Sequence, residues 1–160
     1  MRRTRGLFPV ALLSALALAS VADAAPNVNA KMEAAILLKM NDARAANGLP
    51  ALKASIVLRS PARVHSRYLH TTGTFTHDGP SGEPFWKRLV AAGFPKTKTM
   101  GENLAVMDGC PKTAARIVEL WMNSPPHRRN LLSTRFRVVG VGVVANGSCG
   151  RAVYTTDFGG

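Results

Sequence analysis

The chain has 160 residues, a formal net charge of +12, 46% hydrophobic residues and 19% charged residues. That is too apolar for a disordered chain, and no long low-complexity tract or repeat at solenoid spacing is present. Length and composition therefore point to one modest globular domain.

Arg2, Arg3 and Arg5 precede an apolar run from Leu7 to Val21, followed by Ala22-Asp23-Ala24. A basic head, a short apolar middle and a small-residue exit predict a secretory signal peptide over residues 1–24, cleaved after Ala24. The run is short for a membrane span, which wants about 20 apolar residues. The mature chain, residues 25–160, contains no second apolar run, which predicts a secreted or periplasmic protein without a transmembrane span, and a monomer. Loss of three Arg and one Asp with the leader keeps it strongly basic. In an oxidising compartment Cys110 and Cys149 are expected to form one disulfide. It would close a loop of about 40 residues and contribute about 3–4 kcal/mol. No C-x-x-C spacing supports a metal or redox site.

Asn29 is placed to cap a helix carrying Met32, Ile36, Met40 and Ala43 on one face, stopped by Asn47-Gly48 and Pro50. Ser60-Pro61 predicts the start of a second helix, with Ala62, His65 and Leu69 inward and Gly73 at its end. Whether residues 56–59 belong to it is left open by the pattern. Residues 74–82, TFTHDGPSG, read as a polar loop. Pro84 opens a short helix with Phe85, Leu89 and Ala92 inward, closed by Gly93. Residues 103–107 suit a strand, and 113–122 a helix burying Ala114, Ile117, Val118 and Trp121. Ser124-Pro125 starts a further helical turn through Leu132. Residues 136–144 and 151–158 read as a hairpin around Asn146-Gly147. Helices first and strands last, without βαβ alternation, predict an α+β fold with a small antiparallel sheet.

His77 lies in the polar loop, Glu102 in Gly101-Glu102-Asn103, and His127 in Ser124-Pro125-Pro126-His127. A histidine in the first turn of a helix is held neutral by the positive helix end, the form that a metal ligand or a general base requires. Against this, a loop histidine is usually solvated, and His77 and His127 are fifty residues apart in sequence. Residue types alone thus give this trio little weight. His65 is expected to be a satisfied core histidine and His70 a surface group. Ser124 suits an N-cap better than a nucleophile, since no G-x-S-x-G turn surrounds it. Trp86 and Trp121 are expected to anchor the core.

Six segments in order carry a resemblance that covers essentially the whole mature chain. They are N41-D-A-R-A-A-N-G-L-P50, T76-H-D-G-P-S-G82, G101-E-N-L104, W121-M-N-S-P-P-H-R-R-N-L-L132, V139-G-V-G-V143 and T155-T-D-F-G159. Together they resemble the CAP superfamily of cysteine-rich secretory, antigen 5 and pathogenesis-related proteins, in its short secreted bacterial form. The resemblance implies a single domain over residues 25–160, folded as a three-layer α–β–α sandwich with a small central antiparallel sheet and an open cleft. It further implies that His77, Glu102, Asn103, Ser124 and His127 line the cleft. His77 and His127 would bind one divalent metal, often zinc. Where eukaryotic members carry a second acid this chain has Ser124, as bacterial members commonly do, and Pro126 replaces a usual glycine. Two histidines and solvent would make an open metal site.

Two functions follow as expectations. The first is a secreted binding module for a lipid or an anionic envelope or cell-surface ligand. The second is a metal-assisted, peptidase-like hydrolase with His77, Glu102 and His127 as its catalytic residues. Nucleic-acid binding is disfavoured, because Arg59, Arg63, Arg67, Lys87, Arg88, Lys96, Lys98, Arg128 and Arg129 are scattered without an aromatic stacking platform.

Overall fold

A computed structural model describes residues 27–160, so the expected leader lies outside the described residues. In chain order the elements are β1 (Asn27–Val28), α1 (Ala30–Ala45), β2 (Lys53–Ala54), α2 (Ile56–Thr72), α3 (Phe85–Ala91), β3 (Met100–Met107), α4 (Ala114–Asn123), α5 (Pro125–Leu131), β4 (Val138–Ala145) and β5 (Ala152–Gly159). The sheet runs β1-β4-β5-β3, and β2 also pairs with β4. All pairings are antiparallel except the short β2–β4 contact, which is parallel. The expected antiparallel sheet is thus present, with one parallel addition at its margin. Among the described residues no helix is long and apolar enough to cross a membrane.

Strand alternation sorts side chains onto two faces. Val139, Val141 and Val143 of β4, with Tyr154 and Phe158 of β5, meet Ile36, Met40, Ile117, Trp121 and Leu131 of α1, α4 and α5. On the opposite face Leu58 packs with Leu89 and Phe94, and Leu69 with Leu104 and Val153. The result is the expected α–β–α sandwich, with α2 and α3 forming the second helical layer.

That layer sits unusually close to the sheet. A Cβ on Gly140 or Gly142 would overlap the backbone of Leu58–Arg59 or Ala62–Arg63 in α2. The two glycines in V139-G-V-G-V143 therefore let a helix lie on β4 at backbone contact, and Ser66 Oγ uses the approach to reach Gly142 O at 2.9 Å.

Several expectations need correction. Helix α2 starts at Ile56, because Ser55 rather than Ser60 caps it through Leu58 N, and Pro61 lies inside the helix. The carbonyl that Pro61 leaves without its helical partner belongs to Val57, an exposed residue. Strand β3 begins at Met100, three residues before the expected start, and β4 at Val138 rather than Phe136. Ala92 is exposed at the end of α3. Trp121 is buried and donates to Leu104 O at 3.0 Å, whereas Trp86 is only half-buried, beside Lys87 on the peripheral α3. His70 is half-buried and bonds Arg151 O at 3.2 Å, so it is not a free surface group. Cys110 and Cys149 are disulfide-bonded, as expected.

Arg44, in the middle of the first quoted motif, is fully buried without a carboxylate partner. It donates to Pro50 O, Leu131 O and Ser133 O at 2.8–3.0 Å, tying the ends of α1 and α5 together. Asn41 completes this corner by pairing its amide with both backbone groups of Leu52.

Candidate functional site

The site forms along β3, the edge strand on one side of the sheet. Because side chains alternate, Gly101-Glu102-Asn103 delivers consecutive groups to different layers. Glu102 pairs in register with Asp157 of β5, on the face covered by α2 and α3. Asn103 points toward α5, where Asn103 Nδ2 donates to His127 O and Asn130 Nδ2 donates to Asn103 Oδ1, both at 3.0 Å. Asn130 Nδ2 also reaches Glu102 O at 3.0 Å. Asn103 is itself fully buried, and its role is to seat α5 against the edge strand.

His77 comes from the loop between α2 and α3. Its Nδ1 lies 2.7 Å from Glu102 Oε1. A carboxylate only accepts, so Nδ1–H donates and Nε2 is left outside this hydrogen bond. The second Glu102 oxygen accepts from Arg88 of α3, and Arg88 also donates to His77 O at 3.2 Å. Glu102 is therefore engaged at both oxygens, with its side chain 1% exposed, while that of His77 is 52% exposed. His65 of α2 donates from Nε2 to Thr76 O at 2.9 Å and so anchors the residue before His77. Its Nδ1 has no partner, so His65 is buried as expected but only half satisfied.

The charges interact across this cluster. The hydrogen bond to Glu102 raises the pKa of His77, against the effect of its partial burial. Burial lowers the pKa of His127, and the nearby His77 lowers it further. The expected direction for His127 is found, but its cause is desolvation and a neighbouring imidazole. Burial also lowers the pKa of His65, with Arg88 adding to it. Asp157, fully buried, is pushed well above the usual carboxylate range, first by desolvation and then by Glu102.

Ser124 occupies the N-cap of α5 but makes no capping hydrogen bond from its side chain. Among the described residues no three His, Cys, Asp or Glu side chains converge as metal ligands. His77 and Glu102 are in contact, His127 is tied to the same strand through Asn103, and Ser124, half-buried, precedes it at the N-cap of α5.

Three members of the cluster, Arg88, Asp157 and Asn130, were not singled out from the sequence as site residues. Asp157 lies in the quoted T155-T-D-F-G159 segment, but only the β3–β5 register shows that it faces Glu102. Arg88 read as one of many scattered surface cations.

The family profile described as cysteine-rich secretory protein family (CAP) matches residues 37–158. Among curated proteins, the uncharacterized protein YkwD of Bacillus subtilis is 33% identical over 135 residues, covering 84% of this chain and 49% of YkwD. The chain thus spans about half the length of that relative. Among solved structures, an extracellular SCP-domain protein from Bacillus anthracis is 27% identical with a TM-score of 0.69, over 80% of this chain and 40% of that one. An outer surface protein from Borrelia burgdorferi shares the fold at a TM-score of 0.71 and 19% identity, over 83% of this chain and 96% of that one. With the profile spanning most of the chain, and the α–β–α sandwich and the disulfide in place, this protein belongs to the CAP family of cysteine-rich secretory proteins.

Proposed function

We propose that residues 1–24 export this chain and that residues 25–160 act outside the cytoplasm as a monomeric ligand-binding module centred on His77, Glu102 and His127. The observation that carries the reading is the double engagement of Glu102, by His77 at one oxygen and Arg88 at the other. A carboxylate held this way orients an imidazole and presents its free nitrogen, as carboxylate–histidine pairs do around metals.

The residues fit a divalent ion in an open site. His77, through Nε2, and His127 would hold it, and solvent would complete the shell, since no third protein ligand converges there among the described residues. Such an ion, with zinc the expected one, would supply a Lewis-acidic anchor for an oxygen-bearing ligand. The lowered pKa of His127 favours the neutral, ligating form. Arg88 keeps a positive charge nearby, which favours weak rather than tight cation binding.

The same geometry weighs against the hydrolase reading. A general base must face the water it activates, and Glu102 is buried with both oxygens taken. Binding is the better-supported role, and the strong positive charge favours anionic partners at the cell envelope or cell surface, with lipid ligands the other class.

Zinc titration by calorimetry tests the proposal. Micromolar binding lost in His77→Ala/His127→Ala is the expected result. Binding that the double variant retains, or no binding at all, would overturn the metal site.

A further inference from the structure

A second feature lies on the far side of α5 from its contact with Asn103. The end of α4, helix α5 and residues 133–135 enclose a wide-mouthed groove of about 900 Å³. Arg128, Arg129 and Arg135 line it, and no carboxylate does. All three arginines are exposed, and none takes part in the ion pairs found among the described residues. Arg135 is steadied by Thr99 Oγ1 at 3.3 Å. Ser133 Oγ accepts from Arg135 N at 3.2 Å, which leaves its proton available to the groove. Thr134 adds a second hydroxyl to the lining.

Three guanidinium groups and two hydroxyls form a surface rich in hydrogen-bond donors and free of competing anions. Such a surface suits oxyanions, and guanidinium forks suit phosphate in particular. The apolar part of the lining is Met122 and Leu132, both half-buried, and the small ring of exposed Pro125. Among the described residues the large exposed hydrophobic side chains, Leu38, Ile56, Val57, Val64, Phe75 and Leu120, are not part of this lining. A membrane would need such side chains at the rim in order to insert. No aromatic ring lines the groove either, so nucleobases have nothing to stack on. The chemistry that remains is a water-soluble chain read through its phosphates alone.

We propose that this groove binds a segment of a linear phosphoanhydride-linked polyanion, with Arg128, Arg129 and Arg135 as its phosphate contacts. The inference rests on the reading of the chain as a module for anionic partners but is independent of the metal at His77 and His127.

Linear inorganic polyphosphate serves as the probe, with binding measured across a salt series. The comparison is between Arg128→Gln/Arg129→Gln/Arg135→Gln and Lys87→Gln/Lys96→Gln/Lys98→Gln, which remove equal charge from different places. The arginine variant is expected to lose about tenfold or more in affinity and to flatten the salt dependence by about two to three units of log–log slope. The lysine variant should stay near wild type. Equal loss in both variants would refute the groove while leaving general attraction to anions intact. Binding to phosphatidylglycerol vesicles or to a DNA duplex, without binding to polyphosphate, would overturn the assigned ligand class. Zinc titration of the arginine variant separates the two sites, because histidine-dependent zinc binding should persist in it.

Discussion

Replacing Arg88 by Met is the most direct test of how the site is held together. The Glu102 side chain is 1% exposed and that of Arg88 11%, so the pair is shielded from the water that would screen a surface bridge. Arg88→Met keeps a long apolar stem but leaves the Glu102 carboxylate beside the buried Asp157 without its guanidinium. Breaking a buried pair from one side costs about 3–5 kcal/mol, since the remaining charge has lost its compensation. In a domain of this size that is on the order of 10–15 °C in Tm. The double variant Arg88→Met/Glu102→Gln removes both charges and should recover to within about 1–2 kcal/mol of wild type, because replacing a whole buried pair is often neutral. Urea denaturation of the three proteins at neutral pH gives the comparison. A loss below about 1 kcal/mol for the single variant would show that the pair is effectively solvated. A double variant no more stable than the single one would show that Arg88 acts by packing, and would remove the electrostatic account of the cluster.

Two further predictions concern the scaffold. Gly142→Ala should destabilise by about 2–3 kcal/mol, because its Cβ meets the backbone of Ala62 and Arg63, which cannot rotate away; a neutral result in thermal melts would mean that α2 can lift from β4 at no cost. Tyr154 is fully buried, its hydroxyl lacks a partner, and burial raises its pKa from 10.0 to about 12. An acid whose pKa is raised on folding loses its stabilising contribution as pH rises from the unfolded towards the folded value, so wild type should lose about 2 kcal/mol relative to Tyr154→Phe between those pH values. The Phe variant should equal or exceed wild type in stability at neutral pH, and parallel pH profiles for the two proteins would refute the argument.

The layered fold was legible because its signals are local. The face of α1, the αL glycine that ends α2 and the apolar run of α4 are each set by residues within one element. The errors fall where a distant partner decides. Ser60-Pro61 looks like a helix start, yet Ser55 caps the helix and Pro61 lies buried within its second turn. Trp86 looks like a core anchor because of its size, but α3 is short and peripheral, so only Leu89 is buried on it. Arg44 has no acidic partner within reach along the sequence. Its burial depends on carbonyls at Leu131 and Ser133, almost ninety residues away. The site shows the same division. His77, Glu102 and His127 were found through motif order, whereas Arg88 and Asp157 become visible only when α3 and β5 are laid against β3.

Placing the site on an edge strand has a physical consequence. An edge strand exposes backbone groups that invite pairing with another chain. Here two carbonyls of β3 are taken by side chains, Glu102 O by Asn130 and Leu104 O by Trp121. The residues that block the edge are thus those that dock α4 and α5, and Asn103 joins them by holding His127 O. On the other face Glu102 carries His77 and Arg88. One strand therefore holds the His77 side chain through one face and the His127 backbone through the other. His77 reaches the cluster from the loop between α2 and α3, and His127 from the first turn of α5. Substitutions that shift either helical layer against β3 will therefore reach the cluster without touching a histidine.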